Sequence, residues 1–492
     1  MKHIDITGHF LVDHGQYVLL ELCKKDRIDD IVAIDFRNVA DRLVDSFNTE
    51  IWWKEFRTVF PNGWYNPSAK PIQGSKDTSY YRKISSDFQT AIDKINSQEV
   101  SKYRCTFCQK PTGITLSKMS LPFAGGPAFP NFNSGFITGT PVCGHCYFYL
   151  MVSPLSFHKI GSSWFLGIQS LNSKIMQIWT NIALESSLRP TKDQAIYTMG
   201  YKFRGYQNAY FEEVTRILER EEQLLLTDDR PVDDVRELRD SNILFYFWNN
   251  DNRGSKMEAN LFPKGLFNFF IELKCWGLKH EFDRVIWAGF YLNTSKITKL
   301  KKKSSQKHSE DFEYLDQESQ LKLYRESRNR VFTNLLQGRS ILPFFINKKR
   351  VRVRTSWKVV QLYLAEVIKM SDDRISVIKK LGESIALLLN EVPDRKQERM
   401  IVWSLERCSR YQDLVSYLTM IDSICIRLGK DIVVNSEMIT SDLFPGILEG
   451  EYPKDWQIVH NLLRIVLYEK APNKVRDIIG AIETEDESVT SE

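Results

Sequence analysis

The sequence predicts an α+β fold: a mixed N-terminal region with an inserted cysteine-bearing module, then an all-α C-terminal helix bundle. Three observations predict it. Helical and strand-like patterns alternate up to about residue 369. Gly, Pro, Asn and Phe displace helical periodicity between 101 and 162. From 370 onward apolar residues recur at three- and four-residue spacings with short breaks, as in a bundle. Four regions result: 1–100, 101–162, 163–369 and 370–492.

Each element has its own signal. Asp13 is read as the cap of a short helix through Tyr17, Leu19, Leu20 and Leu22. A second helix is expected near Asp35–Phe47. A third runs about Tyr80–Ile95, with Tyr81, Ile84, Phe88, Ile92 and Ile95 on one stripe. Pro61, Gly63, Pro67, Pro71 and Gly74 mark a loop. Ile243–Trp248 is strand-like, and Lys348–Arg354 alternates as a strand with one charged face. Apolar stripes then run Ile375–Leu388, Val402–Ile421 and Val459–Leu467, broken at Pro393 and Gly429. Before the first stripe, Ser371-Asp372-Asp373 supplies a helix cap.

The chain has 492 residues, 42% hydrophobic and 26% charged, enough for several cored domains. That excludes a disordered chain, a coiled-coil rod and a small disulfide scaffold. The first residues carry Asp5 and Asp13 and no apolar core of a secretory signal, and no apolar run reaches membrane-span length. A cytoplasmic location is expected. The net charge of +5 is unevenly spread. Residues 370–492 hold 15 basic and 22 acidic residues, whereas 296–354 hold 16 basic and 6 acidic. The basic stretch reads as a phosphate-facing segment, through Lys299, Lys301, Lys302, Lys303, Lys348, Lys349, Arg350, Arg352 and Arg354. Arg325, Arg328 and Arg330 lie between these clusters on an expected helix. Tyr324 and Trp357 are of the type that stacks on bases, although Trp357 is read as core.

The sharpest motif is Cys105-Thr-Phe-Cys108 with Cys143-Gly-His-Cys146. Two CxxC turns offer four thiolates to one tetrahedral ion, and in a reducing compartment the expected ion is structural Zn2+. Cys23, Cys275, Cys408 and Cys425 stand singly in apolar patterns and are read as core. Cys143-Gly-His-Cys146 also matches a thiol-oxidoreductase tetrapeptide, but the second CxxC upstream argues for metal. Residues 109–142 contain no His, Asp or Glu, which excludes an HNH-type nuclease. Within them, 122–141 reads as either a surface loop covering the metal core or a nucleic-acid-contacting loop. Gly125 and Gly126 would permit close approach, and Asn131, Phe132 and Asn133 would offer hydrogen bonds and a wedge. No phosphate loop, HExxH or GxSxG occurs, and the chain is read as a binder and not an enzyme.

The opening Ile6-Thr7-Gly8-His9-Phe10-Leu11-Val12-Asp13-His14-Gly15, with the two CxxC pairs and the total length, resembles the CXXC–CXXC family of CRISPR-associated proteins. That family is the large subunit of type I-B Cascade, an RNA-guided antiviral complex. The resemblance implies a subunit beside the one that binds the 5′ handle of the guide RNA. It would inspect the protospacer-adjacent motif (PAM) in double-stranded DNA, help open the duplex and stabilise the R-loop, while guide pairing reads the sequence. By analogy, Gly125, Gly126, Asn131, Phe132 and Asn133 would meet the minor groove. The C-terminal bundle resembles the small subunits of such complexes, which an internal start at Met370, or at Met400, would produce. Further partners implied are the backbone subunits and either a helicase–nuclease or, in a transposon-associated system, transposition proteins. The alternative reading is a stand-alone zinc-containing nucleic-acid enzyme with an unrecognised active site.

Overall fold

A computed structural model describes residues 2–50, 52–53, 71–72, 74–97, 103–116, 139–160, 164–188, 206–227, 232–251, 254–290, 328–348, 350–430, 442–445, 453 and 455–489. The fold is mixed α/β and mostly helical. The chain divides into two compact units, Met1–Lys264 with Leu321–Glu326, and Gly265–Gln320 with Ser327–Glu492.

The first unit is built around helix α1, Phe10–Cys23. The runs Phe10-Leu11-Val12 and Tyr17-Val18-Leu19-Leu20 are apolar, and every residue from Phe10 to Glu21 is buried. The polar residues among them, Asp13, His14 and Gln16, find partners inside the fold, so the helix has no solvent-facing side. Its neighbours include α2 (Ala33–Phe47), α4 (Gly144–Val152) and α5 (Ser173–Leu188), while α3 (Ser79–Asn96) packs on α2 and α4. The α3 stripe is as expected: Ile84, Phe88 and Ile92 are buried, with Tyr81 and Ile95 at its partly buried margin.

Gly15 sets the distance between α1 and α4. A Cβ there would stand 2.1 Å from the Tyr149 carbonyl oxygen, so only glycine lets the two backbones touch. Asp13 is not the cap of α1, as the sequence suggested. It lies one turn inside, and its Oδ1 accepts from Thr7 N at 2.9 Å and Thr7 Oγ1 at 2.7 Å. The acid therefore folds the segment before the helix back onto it, while His9 occupies the cap position.

An antiparallel sheet completes this unit, in the order β5 (His158–Ile160), β6 (Trp164–Gln169), β7 (Ile243–Asp251), β8 (Gly254–Phe262). The strand expected at Ile243–Trp248 is thus longer by three residues. Phe10 of α1 stacks on Tyr246 of β7, with ring centroids 4.5 Å apart. His14 Nε2 meets the Ile168 carbonyl of β6 and its Nδ1 lies 2.8 Å from Ser156 Oγ. Helix α6 (Tyr206–Thr227) packs on α5.

The second unit begins within α7 (Lys264–Cys275), whose residues Leu266–Leu273 are all buried. Phe269 meets Phe282 of α8 (Lys279–Ala288) and Tyr363 beyond α9 (Arg330–Leu336), at the end of α10 (Trp357–Tyr363). Five helices follow: α11 (Asp372–Glu391), α12 (Arg395–Arg407), α13 (Tyr411–Arg427), α14 (Trp456–Lys470) and α15 (Pro472–Val489). Breaks fall at Pro393 and at Gly429, whose φ is +63°, and Ser371 caps α11 through Arg374 N. Helix α14 packs on all four of the others, and Val459–Tyr468 are buried without exception.

Lys348–Arg354 is not one strand. Ile346–Asn347 and Arg352–Val353 pair as a short hairpin, with Lys348, Arg350 and Val351 in its turn and Val351 at φ 44°. The reason is local: Arg350 N donates to Asn347 Oδ1, and Arg354 N closes back on the Phe345 carbonyl. Among the described residues, no helix is long and apolar enough to cross a membrane.

Two substitutions test this packing. Gly15→Ala should cost the first unit about 3 kcal/mol, because the backbone it meets cannot step aside as a side chain can. Gly480→Ala, on α15 where an added Cβ would meet nothing within 4 Å beyond its own helix, should instead stabilise the second unit by roughly 0.5–1 kcal/mol. Calorimetry of each variant reads both signs.

Burial also holds His14 neutral, lowering its pKa to about 4 from 6.5. A depressed histidine costs nothing above the unfolded pKa. As pH falls below 6.5 the unfolded chain takes up a proton that the folded chain refuses, and stability is lost until about pH 4. The full loss is about 3 kcal/mol. The slope of stability against pH across this window should be shallower in His14→Gln, measured by urea unfolding at stepped pH.

Candidate metal centre

The two CxxC turns are 34 residues apart in sequence and are joined by strand pairing. β1 (Tyr103–Arg104) pairs with β2 (Pro111–Thr112), wrapping the first turn into a hairpin. Cys105 N donates to the Lys110 carbonyl and Gln109 N to the Cys105 carbonyl, and Gln109 takes φ 62° to complete the reversal. β3 (Thr115–Leu116) then pairs with β4 (Thr140–Pro141), which closes the insert and delivers the second turn. Thr106 N donates to the Pro141 carbonyl at 2.9 Å, tying one turn to the strand that feeds the other.

The second turn starts helix α4, a feature the sequence pattern of this region concealed. Cys143 is the cap residue, and its Sγ accepts from Cys146 N. Gly144 lies against α3, where a Cβ would stand 2.7 Å from the Ala91 carbonyl oxygen and from Ile95 N. Metal-ligand turn and helix start are therefore one element.

The four sulfur atoms lie within 4.8 Å of one another, and Cys108 Sγ is 3.4 Å from Cys143 Sγ. A disulfide needs about 2.05 Å, so these are thiols in contact and not a bridge. Four sulfurs bound at about 2.3 Å around a tetrahedral ion sit about 3.8 Å apart, which this cluster matches. Cys105, Cys143 and Cys146 are buried and Cys108 is half-buried. The cluster belongs to the hydrophobic core that contains α1, together with Val142, Leu116 and Phe148.

The electrostatics point the same way. Hydrogen bonds from the Cys108, Cys143 and Cys146 thiols push the Cys105 thiol far below its ordinary pKa. The bonds that Cys143 and Cys146 make to Cys105 and Cys108 push those two thiols well up. Cys108 is also lowered, to about 7, by its bonds to Cys143 and Cys146, so two thiols shift toward thiolate and two resist as negative charge accumulates in a buried space. A divalent cation removes that conflict by taking all four as thiolates.

His145 is not part of the set. Its ring packs edge-on against Phe36 of α2, and burial lowers its pKa to about 4. His9, by contrast, lies on Phe107 inside the first CxxC, with ring centroids 4.5 Å apart. Sequence reasoning missed that contact, although a His-Phe pair at the head of α1 and an aromatic within the turn were its visible signal.

Of the other singled-out residues, Lys348, Arg350 and Arg352 are exposed on the hairpin and Arg354 is half-buried. Lys348 pairs with Glu406 at 3.6 Å. Arg328 and Arg330 are exposed, Arg330 opening α9. Trp357 is half-buried and not core. Cys408 and Cys425 are buried, while Cys23 and Cys275 are only partly so. Gly125, Gly126, Asn131, Phe132, Asn133, Lys299, Lys301, Lys302, Lys303, Arg325, Tyr324 and Lys349 lie outside the described residues. Among the described residues, Cys105, Cys108, Cys143 and Cys146 are the one group of three or more potential metal ligands.

Comparison with known family models, curated proteins and solved structures finds no match.

Losing one ligand should break the module. Cys105→Ser should retain well under one equivalent of metal per chain by elemental analysis. It should also expose the 103–160 segment to limited proteolysis, because metal binding and local folding are one equilibrium. The same outcome is expected on chelation, and more readily as pH falls, since protons compete for the thiolates.

Proposed function

We propose that this chain is the large subunit of a type I-B CRISPR RNA-guided surveillance complex, with structural Zn2+ at the four cysteines. The observation that carries the reading is how the two resembling motifs fit together. Gly15 of the opening run abuts Tyr149 of the helix that starts at Cys143, and His9 lies on Phe107 between the first two cysteines. Each motif requires the other to pack, so their joint presence describes one element and not two coincidences. An all-thiolate set with no carboxylate favours zinc among divalent ions.

In this reading the chain recognises the PAM through 122–141, with Gly125, Gly126, Asn131, Phe132 and Asn133 at the minor groove. The basic residues, including Lys348, Arg350, Arg352 and Arg354, hold DNA phosphates without choosing bases. The C-terminal helices form a bundle in the place of a small subunit. The chain itself cuts nothing.

Co-expression with candidate backbone and 5′-handle-binding subunits and a guide RNA from the same genome tests the assignment. The expected result is a stable ribonucleoprotein that retains this chain through size exclusion and binds double-stranded target. In that complex, Asn131→Ala or Asn133→Ala should alter motif preference in a randomised-motif library. Arg350→Glu with Arg352→Glu should weaken all targets alike and reduce the salt slope by about 1 per lost contact. A chain that never co-purifies with the RNA-bearing subunits would falsify the reading.

A further inference from the structure

Trp276 follows α7 and remains 53% exposed, unusual for so large an apolar side chain. Its indole Nε1 donates to Glu272 Oε2 at 3.1 Å, which fixes the ring. The Lys358 ammonium stands 4.2 Å from the ring centroid. Lys358 is the neighbour of Trp357 at the start of α10, and the Lys379 ammonium of α11 stands 5.2 Å from the Trp357 ring. Two tryptophan–lysine pairs, Trp276 with Lys358 and Trp357 with Lys379, are thus joined through the consecutive residues Trp357 and Lys358 of α10.

The carboxylates around these pairs are already engaged. Glu272 holds Trp276, and Glu281 accepts from Ser356 N and Thr355 Oγ1. Glu383 is shared between Lys379 at 3.9 Å and Lys470 at 3.5 Å. Lys358 has no carboxylate partner among the described residues. Each indole therefore carries a lysine ammonium over one ring face, and Trp276 stays exposed beyond that contact. Bases stack on such rings and phosphates meet such cations, with little dependence on sequence.

We propose that Trp276, Trp357, Lys358 and Lys379 form a stacking site for single-stranded nucleic acid. It rests on the preceding reading in one respect, that the partner is a nucleic acid. A duplex keeps its bases stacked inside, so the indoles select an unpaired strand.

The test is fluorescence anisotropy of the full-length, metal-loaded chain with labelled dT20 and with a 20-base-pair duplex. Trp276→Ala should weaken dT20 binding about tenfold and leave duplex binding within about twofold, while Trp276→Phe keeps most of the affinity. Lys358→Gln should lower the salt slope by about 1. Thermal melting of Trp276→Ala should match the wild type, since Trp276 is exposed, and melting of Trp357→Ala shows whether that half-buried variant is still folded. The proposal is overturned if Trp276→Ala and Trp357→Ala both bind dT20 as the wild type does. Equal losses for dT20 and duplex, or a wild-type chain that does not bind dT20, overturn it as well. No guide RNA or partner subunit enters these assays, so this failure and a failure to assemble are distinguishable.

Discussion

The close approach of α1 and α4 at Gly15 is the constraint on which the first unit depends. Helix α4 is only nine residues long, below the length at which a helix holds itself together in water. It is fixed from outside at three points. The thiol cluster holds its first turn, Gly144 admits the α3 backbone, and Gly15 admits its own backbone to α1. From α1 the same order passes to the sheet, through Phe10 on Tyr246 and His14 on the Ile168 carbonyl. With a divalent cation taking all four sulfurs as thiolates, Cys143 at the helix cap would also face the positive end of the dipole.

That arrangement explains which features were readable beforehand. The cysteine set was legible because metal ligation leaves a spacing that few other uses of cysteine leave. Helices α2 and α3 were legible because each has one wet face and so a clean period. Helix α4 was not. Gly144–Val152 is buried on nearly every side, and a segment with no polar face shows no period to read. Asp13 was misplaced for a related reason. A capping acid and an acid one turn inside look alike in sequence, and only the position of Thr7 distinguishes them. At Lys348–Arg354 the alternation of basic residues with Val351 and Val353 mimics a pleat. The deciding group is Asn347, whose side chain accepts from Arg350 N and so favours a turn. Trp357 reads as core in the sequence, whereas in the structure it is half-buried with the Lys379 ammonium 5.2 Å from its ring centroid.

The second unit answers to a different rule, the burial of α14. Arg464 on that helix is almost wholly buried, and its guanidinium forms a two-pronged pair with Glu406 at 2.7 and 2.8 Å. Tyr468 donates to the same carboxylate, and Lys348 of the hairpin reaches it too. Breaking such a pair leaves a charge in a dry place, which costs far more than the pair itself gains. The network thereby fixes the register of α14 against α12 and draws the 346–353 hairpin onto the helices.

This bears on whether the helices from Met370 could act as a separate small subunit. Helix α14 packs against Leu342–Phe345 and Arg352–Val353 as well as against α11. Met370 itself is buried, and its N donates to the Leu364 carbonyl. A product starting there would keep the Ser371 cap and the α11–α14 contact, including the tight fit of Gly382 on Val466. It would also strip one flank of α14 and remove Lys348 from Glu406. An exposed apolar flank of that kind is an interaction surface. A separate helical product is therefore compatible with this packing only where another chain covers the face left by residues 342–353.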